Sequence, residues 1–140
     1  MKINIEQIRP ELTWRLRQLV LYPAQKLYEM ELDEDNDGIH FGAFTDELLT
    51  GIVSLFRKDT SFQFRKLAVL LEYQKMGVGN SLLNRVEEFA ASEGGTVIWC
   101  NARVSAIGFY MKARYSHTGK VFSKNGFDYE ILEKEIKKPA

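Results

Sequence analysis

Arg65-Lys66-Leu67-Ala68-Val69-Leu70-Leu71-Glu72-Tyr73-Gln74-Lys75-Met76-Gly77-Val78-Gly79-Asn80-Ser81-Leu82-Leu83 is the stretch on which the fold turns. It opens on a β-rich apolar run, passes through a turn with two glycines and ends in an amphipathic helical pattern. Such a turn presents consecutive backbone N–H groups at a helix N-terminus, where the first donors lack intrahelical partners and partial positive charge collects. It is therefore an anion site, and glycine lets a phosphate approach with no Cβ in the way.

Three phosphate motifs compete for this stretch. A Walker loop needs Gly-Lys-Ser/Thr, but Gly79-Asn80-Ser81 has no lysine in that place. A dinucleotide fingerprint needs a small residue three positions after Gly79, where Leu82 stands. The third pattern, Gln/Arg-x-x-Gly-x-Gly/Ala, is met by Gln74-Lys75-Met76-Gly77-Val78-Gly79. Its placement between a strand holding Ala68 and Val69 and a helix opening on Leu82 and Leu83 strengthens an otherwise weak hexapeptide.

Working outward, residues 77–93 predict a helix with Leu82, Leu83, Val86, Phe89 and Ala90 on one stripe, ended by Gly94-Gly95. Thr96-Val97-Ile98-Trp99-Cys100 reads as a strand buried on both faces, and residues 104–114 as a helix. Val121 and Phe122, the turn Ser123-Lys124-Asn125-Gly126, and residues 127–136 read as a closing hairpin, with residues 137–140 frayed. Upstream, 62–71 is a strand preceded by a hairpin of 39–44 and 48–56 through Thr45-Asp46-Glu47. Gly42 and Gly51 inside it mark a bulge or a close approach. Ile3 and Ile5 alternate with polar residues in a first strand. Leu12, Leu16 and Leu19 then predict a helix over about 10–21, interrupted by Pro23, with a second helical stretch to about Leu32.

Strand, helix and strand around 62–101 imply a parallel pair with a right-handed crossover, and the hairpins imply antiparallel pairing. The expected fold is α/β (α+β): a mixed, mostly antiparallel central sheet of about seven strands with helices on both faces, in one domain over 1–140.

Composition narrows the function. Lys+Arg and Asp+Glu are both 19, so the chain lacks the positive excess of a nucleic-acid or anionic-membrane binder. Hydrophobic residues at 45% and charged residues at 27% fit a globular chain. One cysteine excludes an internal disulfide and a Cys-based zinc site, and no metal is expected. No apolar run approaches a membrane span, and the first residues lack a signal-peptide core, so the expectation is a cytoplasmic protein.

The loop and its neighbours resemble the GNAT superfamily of N-acetyltransferases. Leu67, Ala68 and Val69 match that family's Ala-Val strand, Gln74 to Gly79 its loop, and Asn101-Ala102-Arg103-Val104-Ser105-Ala106-Ile107-Gly108-Phe109-Tyr110 its later Asn…Ala…Phe-Tyr segment. The closing hairpin looks like that of a compact bacterial-type member. One departure is Arg114, where many members have glycine after the helix; a left-handed cap is costlier for Arg.

The resemblance implies transfer of an acetyl group from acetyl-CoA to a primary amine of a small molecule or protein by direct attack. Leu67, Ala68 and Val69 would pair with the pantetheine arm as a pseudo-strand where two strands splay, and an amide near Val69 would hold the thioester oxygen. Gln74, Lys75, Met76, Gly77, Val78 and Gly79 would cradle the pyrophosphate. Tyr110 would be the general acid for the departing thiolate, or a packed aromatic. Asn101 would bond the pantetheine or act as a helix N-cap, with Ala106 beside the cofactor. Arg114 is a further candidate for a cofactor phosphate.

Some choices stay open. His40, Glu72, His117 and Asp128 are candidates for the base that deprotonates the amine, with His40 more simply structural and Cys100 inert core. The acidic segment 29–37 is a solvated loop, or a lid attracting a cationic amine; a calcium loop lacks its closing Glu. A non-catalytic acyl-CoA sensor and a different nucleotide binder are the alternatives. A homodimer is compatible with the aromatic last hairpin (Phe122, Phe127, Tyr129).

Overall fold

The computed structural model describes residues 1–137; of the tail expected to fray, 137–140, all but Lys137 lies outside the described residues. Seven strands form: β1 (Ile3–Ile8), β2 (Ile39–Thr45), β3 (Leu48–Lys58), β4 (Ser61–Val69), β5 (Val97–Arg103), β6 (Ser116–Lys124) and β7 (Phe127–Glu135). They are hydrogen-bonded in the order β1-β2-β3-β4-β5-β7-β6. The pair β4–β5 is parallel through Ser61↔Val97, Phe62↔Ile98 and Gln63↔Trp99. β1–β2, β2–β3, β5–β7 and β6–β7 are antiparallel. The expected mostly antiparallel sheet with one parallel crossover is what forms.

The chain divides into two compact units. One holds Met1–Phe56 and Phe64–Glu88, the other Arg57–Gln63 and the chain from Phe89 onward.

In the first unit, β2 and β3 turn through Asp46 (φ 50°) and Glu47 (φ 72°), the double left-handed step of a two-residue hairpin. The register shifts between Ala43 and Phe44. Helices cover both faces here, and two adjacent residues of β3 show it. Gly51 lies under the helix α2 (Val78–Ser92): a Cβ there would sit 2.9 Å from Leu82 Cδ1 and 2.9 Å from Val78 Cγ1. Its neighbour Ile52 clusters with Leu16 and Ala68, packed by Ile8, Val20, Leu21, Leu49 and Leu70. Successive strand side chains point to opposite faces, so α2 covers one face and the segment around Leu16 the other. Gly51 thus marks both a close approach and a neighbouring bulge.

That segment is not the regular helix expected over 10–21. It runs as a 3-10 turn (Pro10–Thr13), a short α1 (Trp14–Leu16) and a π turn (Arg17–Leu21). Of Leu12, Leu16 and Leu19 only Leu16 is buried; the inward face is Thr13, Leu16 and Arg17. The reason is electrostatic. Arg17 turns inward to a buried carboxylate on the far side of a loop, and the helix accommodates it. The second helical stretch shrinks to the 3-10 turn Leu27–Met30.

In the second unit, β5 is not buried on both faces. Ile98, Cys100 and Ala102 are buried, Asn101 is exposed and Val97, Trp99 and Arg103 lie between. The apolar run does not bring double coverage: the strand alternates as one with a single well-covered face does. α2 ends on Gly94 (φ +78°), with Gly95 N–H on Ala90 O at 2.8 Å. The helix expected over 104–114 is a 3-10 turn (Val104–Ala106) followed by α3 (Ile107–Lys112). The β6–β7 hairpin turns on Asn125 (φ 53°) and Gly126 (φ 81°) and starts earlier than expected, at Ser116. Among the described residues no helix is long and apolar enough to cross a membrane.

Candidate active site

β4 carries a feature that local sequence does not announce. Lys66 has φ +60° in the middle of the strand. A left-handed residue in a strand is the backbone mark of a bulge, and for a long side chain it is an outlier. The consequence is a change of face. Phe62 meets the C-terminal end of α2, with its ring 2.8 Å from where a Gly95 Cβ would stand. Ala68, an even number of residues later, packs instead with Leu16 and Ile52. The bulge leads straight into Leu67, Ala68 and Val69. The strand is expected to run to Leu71 but ends at Val69, followed by the 3-10 turn Leu71–Tyr73.

The loop then forms as a cradle. Gln74 Nε2 donates to Val69 O at 3.0 Å and ties the loop back to the strand end. Lys75 (φ 64°) and Gly77 (φ +91°) are both left-handed, and a Cβ at Gly77 would meet nothing within 4 Å. Conformation, not space, therefore asks for glycine there. Ser81 N–H is the first to close on a carbonyl, Gly77 O at 3.0 Å. The N–H groups of Val78, Gly79 and Asn80 precede that bond and have no intrahelical acceptor. Gln74, Lys75, Met76 and Gly77 are exposed, as is Asn80, while Gly79 is half-buried and Val78 buried.

In the second unit, Tyr110 is buried on α3, its ring edge-on to Phe109 (5.2 Å) and Tyr115 (5.9 Å). Burial, with nearby Cys100 adding to it, raises the phenol above its ordinary value. Cys100 is itself pushed up to about 12 by burial, so its thiol stays protonated and inert. Ala106 is half-buried at the end of the 3-10 turn and Asn101 is exposed on β5. Asn101 is not the helix N-cap: Arg103 holds that position, with no side-chain cap. Arg114 takes the left-handed cap after all, at φ 71°. Tyr115 N–H on Tyr110 O (3.0 Å) and Arg114 N–H on Met111 O (3.0 Å) complete the motif usually given to glycine.

The four base candidates separate. His40 is 2% exposed; its Nε2 donates to Asp35 O (2.7 Å), so its Nδ1 accepts from Ser54 Oγ (2.7 Å). It is structural. Glu72 is exposed, and Asp128 accepts from Ser123 Oγ at 2.5 Å. His117 has an orienting partner: its Nδ1 lies 3.0 Å from Glu130 Oε1, while Glu130 Oε2 accepts from Gly119 N–H at 3.1 Å. The hydrogen bond from His117 and that amide hold the Glu130 carboxyl below the usual carboxylate range.

The acidic segment is neither a solvated loop throughout nor a free lid. Asp35 is 2% exposed, with Oδ1 and Oδ2 each 2.9 Å from the Arg17 guanidinium. Trp14 Nε1 (3.1 Å) and Leu32 N–H (3.0 Å) also donate to it. Burial pushes the Asp35 carboxyl up, but those donors outweigh it and hold it low. Glu34 accepts from Arg65 at 2.6 Å, and Glu29 from Lys26 N–H at 2.8 Å. Sequence reasoning missed the Arg17–Asp35 pair because its members stand 18 residues apart with no periodic signal.

Comparison with known proteins follows the same direction. The profile of the acetyltransferase (GNAT) domain matches residues 12–136. The uncharacterized N-acetyltransferase YitI of Bacillus subtilis (strain 168) is 27% identical over 139 residues, 93% of each chain. The uncharacterized N-acetyltransferase YjcF of the same organism is 30% identical over 114 residues, 80% of each. Among solved structures, Ard1 from Thermoplasma volcanium superposes with a TM-score of 0.83 at 14% identity, over 99% of this chain and 100% of that one. An aminoglycoside 6'-N-acetyltransferase complexed with coenzyme A gives 0.81 at 18% identity, over 98% and 99%. The fold, the profile over most of the chain and the N-acetyltransferase relatives agree: the chain belongs to the GNAT acetyltransferase family and is an acetyl-CoA-dependent N-acetyltransferase.

Proposed function

We propose that the protein transfers an acetyl group from acetyl-CoA to the primary amine of an acceptor by direct attack, with no acyl-enzyme. The observation that carries this is the pairing of a bulged strand ending at Val69 with a loop whose helix begins on unpartnered N–H groups. The pyrophosphate takes the amides of Val78 and Gly79 at the helix start, with Gly77 giving close approach, Gln74 bracing the loop and Lys75 and Met76 lining it. On the family pattern the pantetheine pairs with Leu67, Ala68 and Val69, and Asn101 and Ala106 are assigned to the cofactor by the same resemblance. An amide near Val69 meets the thioester oxygen as it gains charge.

By the family resemblance, Tyr110 supplies the proton to the departing sulfur. Its raised pKa keeps the phenol protonated, so it is always a donor. His117, oriented by Glu130, is the base this geometry favours for the amine proton. Cys100 offers no competing nucleophile, since its thiol remains protonated.

Calorimetric titration with acetyl-CoA and an amine screen with free-thiol detection test the whole scheme. Binding with CoA release on some amine is expected; no binding at millimolar acetyl-CoA refutes it. Tyr110→Phe should lower kcat roughly a hundredfold while acetyl-CoA affinity holds. Unchanged kcat removes Tyr110 from the acid role.

A further inference from the structure

The acetyl-transfer scheme leaves the acceptor unspecified, and the bulge of β4 bears on it. Lys66, the left-handed residue, directly precedes the strand end assigned to the thioester. Its Nζ lies 2.5 Å from Tyr22 Oη and 4.5 Å from the centre of that ring. Both residues are half-buried. The neighbouring cation, Arg65, is neutralised by Glu34 at 2.6 Å, and Arg17 by Asp35 at 2.9 Å. Among the described residues Lys66 has no carboxylate partner; a phenol oxygen and a ring face are what it meets.

Physical chemistry makes that arrangement unusual. An ammonium has three donors and one is used here. A half-withdrawn charge without a counter-ion gives up hydration with little return. A bulky residue held left-handed in a strand carries a backbone strain that glycine would not. Strain of this kind gathers at ligand sites, where the surrounding fold over-determines it. Meanwhile the acidic segment, the expected attractant for a cationic acceptor, has Asp35, Glu34 and Glu29 already engaged.

We propose, resting on the acetyl-transfer reading above, that Lys66 and Tyr22 form an anion subsite, so that the acceptor is an amine that also carries a carboxylate or phosphate group. The ammonium's remaining N–H groups would hold the anion, with the Tyr22 oxygen positioning the ammonium, while the amine reaches the thioester.

The experiment compares matched acceptors: amino acids against their C-terminal amides, and phosphoethanolamine against ethanolamine, with kcat/KM from CoA release. The wild type should prefer an anionic member by roughly tenfold or more, the size of a charge-assisted bond. Whichever arm shows the preference identifies the anion. Lys66→Met should erase that preference mainly through the acceptor KM, Tyr22→Phe should weaken it, and Lys66→Arg should keep it. Acetyl-CoA affinity by titration should be unchanged in all three. Equal rates on both members of each pair, no acetylation of any anionic amine, or an equal loss on both members in Lys66→Met overturns the subsite. Failure of the wild type to bind acetyl-CoA instead overturns the underlying reaction, so the two failures are distinguishable.

Discussion

Arg17 and Asp35 show what a single pair can impose. Both are almost wholly withdrawn from water and meet through two 2.9 Å bonds, with Ser54 Oγ a further 2.9 Å acceptor for Arg17 Nη2. Removing one partner leaves a buried charge uncompensated. Asp35→Asn should therefore cost about 3 kcal/mol in urea unfolding. Arg17→Met with Asp35→Leu together should cost less than Asp35→Asn alone, because replacing both charges avoids that penalty. Arg114 is the opposite case, a residue in a place that suits another. Arg114→Gly should raise stability by about 1 kcal/mol in thermal melting, since glycine takes φ 71° without strain. If Arg114 also touches a cofactor phosphate, the same variant binds acetyl-CoA more weakly in titration; unchanged affinity confines it to the cap.

At the scale of elements, the seat of α2 governs the loop of residues 74–79. The helix N-terminus rests on β3 because Gly51 has no side chain, with Val78 and Leu82 filling the space a Cβ would take. Gly51→Val should press on that contact, cost about 1–3 kcal/mol by overpacking, and weaken acetyl-CoA binding by displacing Val78, Gly79 and Asn80. Retained affinity in a folded variant would disconnect the loop from this contact. The helix of residues 77–93, the loop and the hairpin turns were readable because their signals are local: periodicity, glycine and Asn-Gly chemistry. The segment over 10–21 was misread because its inward face is chosen by a carboxylate at position 35, not by its leucines. The strand over 96–100 was misread because an apolar run does not say how many faces are covered.

For the whole molecule, acid should be the destabilising direction. Asp35, Glu34 and Glu130 all sit below their ordinary values, Asp35 against the upward push of burial, Glu34 chiefly through Arg65, Glu130 chiefly through His117. A carboxyl depressed in the folded state favours folding above its unfolded value. As pH falls below about 4 the unfolded chain takes up protons first, and that stability is lost. Urea midpoints measured from pH 7 downward should hold and then fall below about pH 4. A flat profile would show that these carboxylates are not held low.

The sequence alone determined the strand order along the chain, the glycine loop of residues 74–79, its helix and the Asn101 to Tyr110 segment, because each is written in neighbouring residues. Tertiary structure decided what depends on distant partners. β7 lies between β5 and β6. Asp35 answers Arg17, and Arg114 keeps a glycine's conformation through bonds to α3. Lys66 is turned by a bulge toward Tyr22. Backbone propensity acts over a few residues, whereas burial and charge pairing act across whatever the fold brings together, and the second kind of force leaves no local trace.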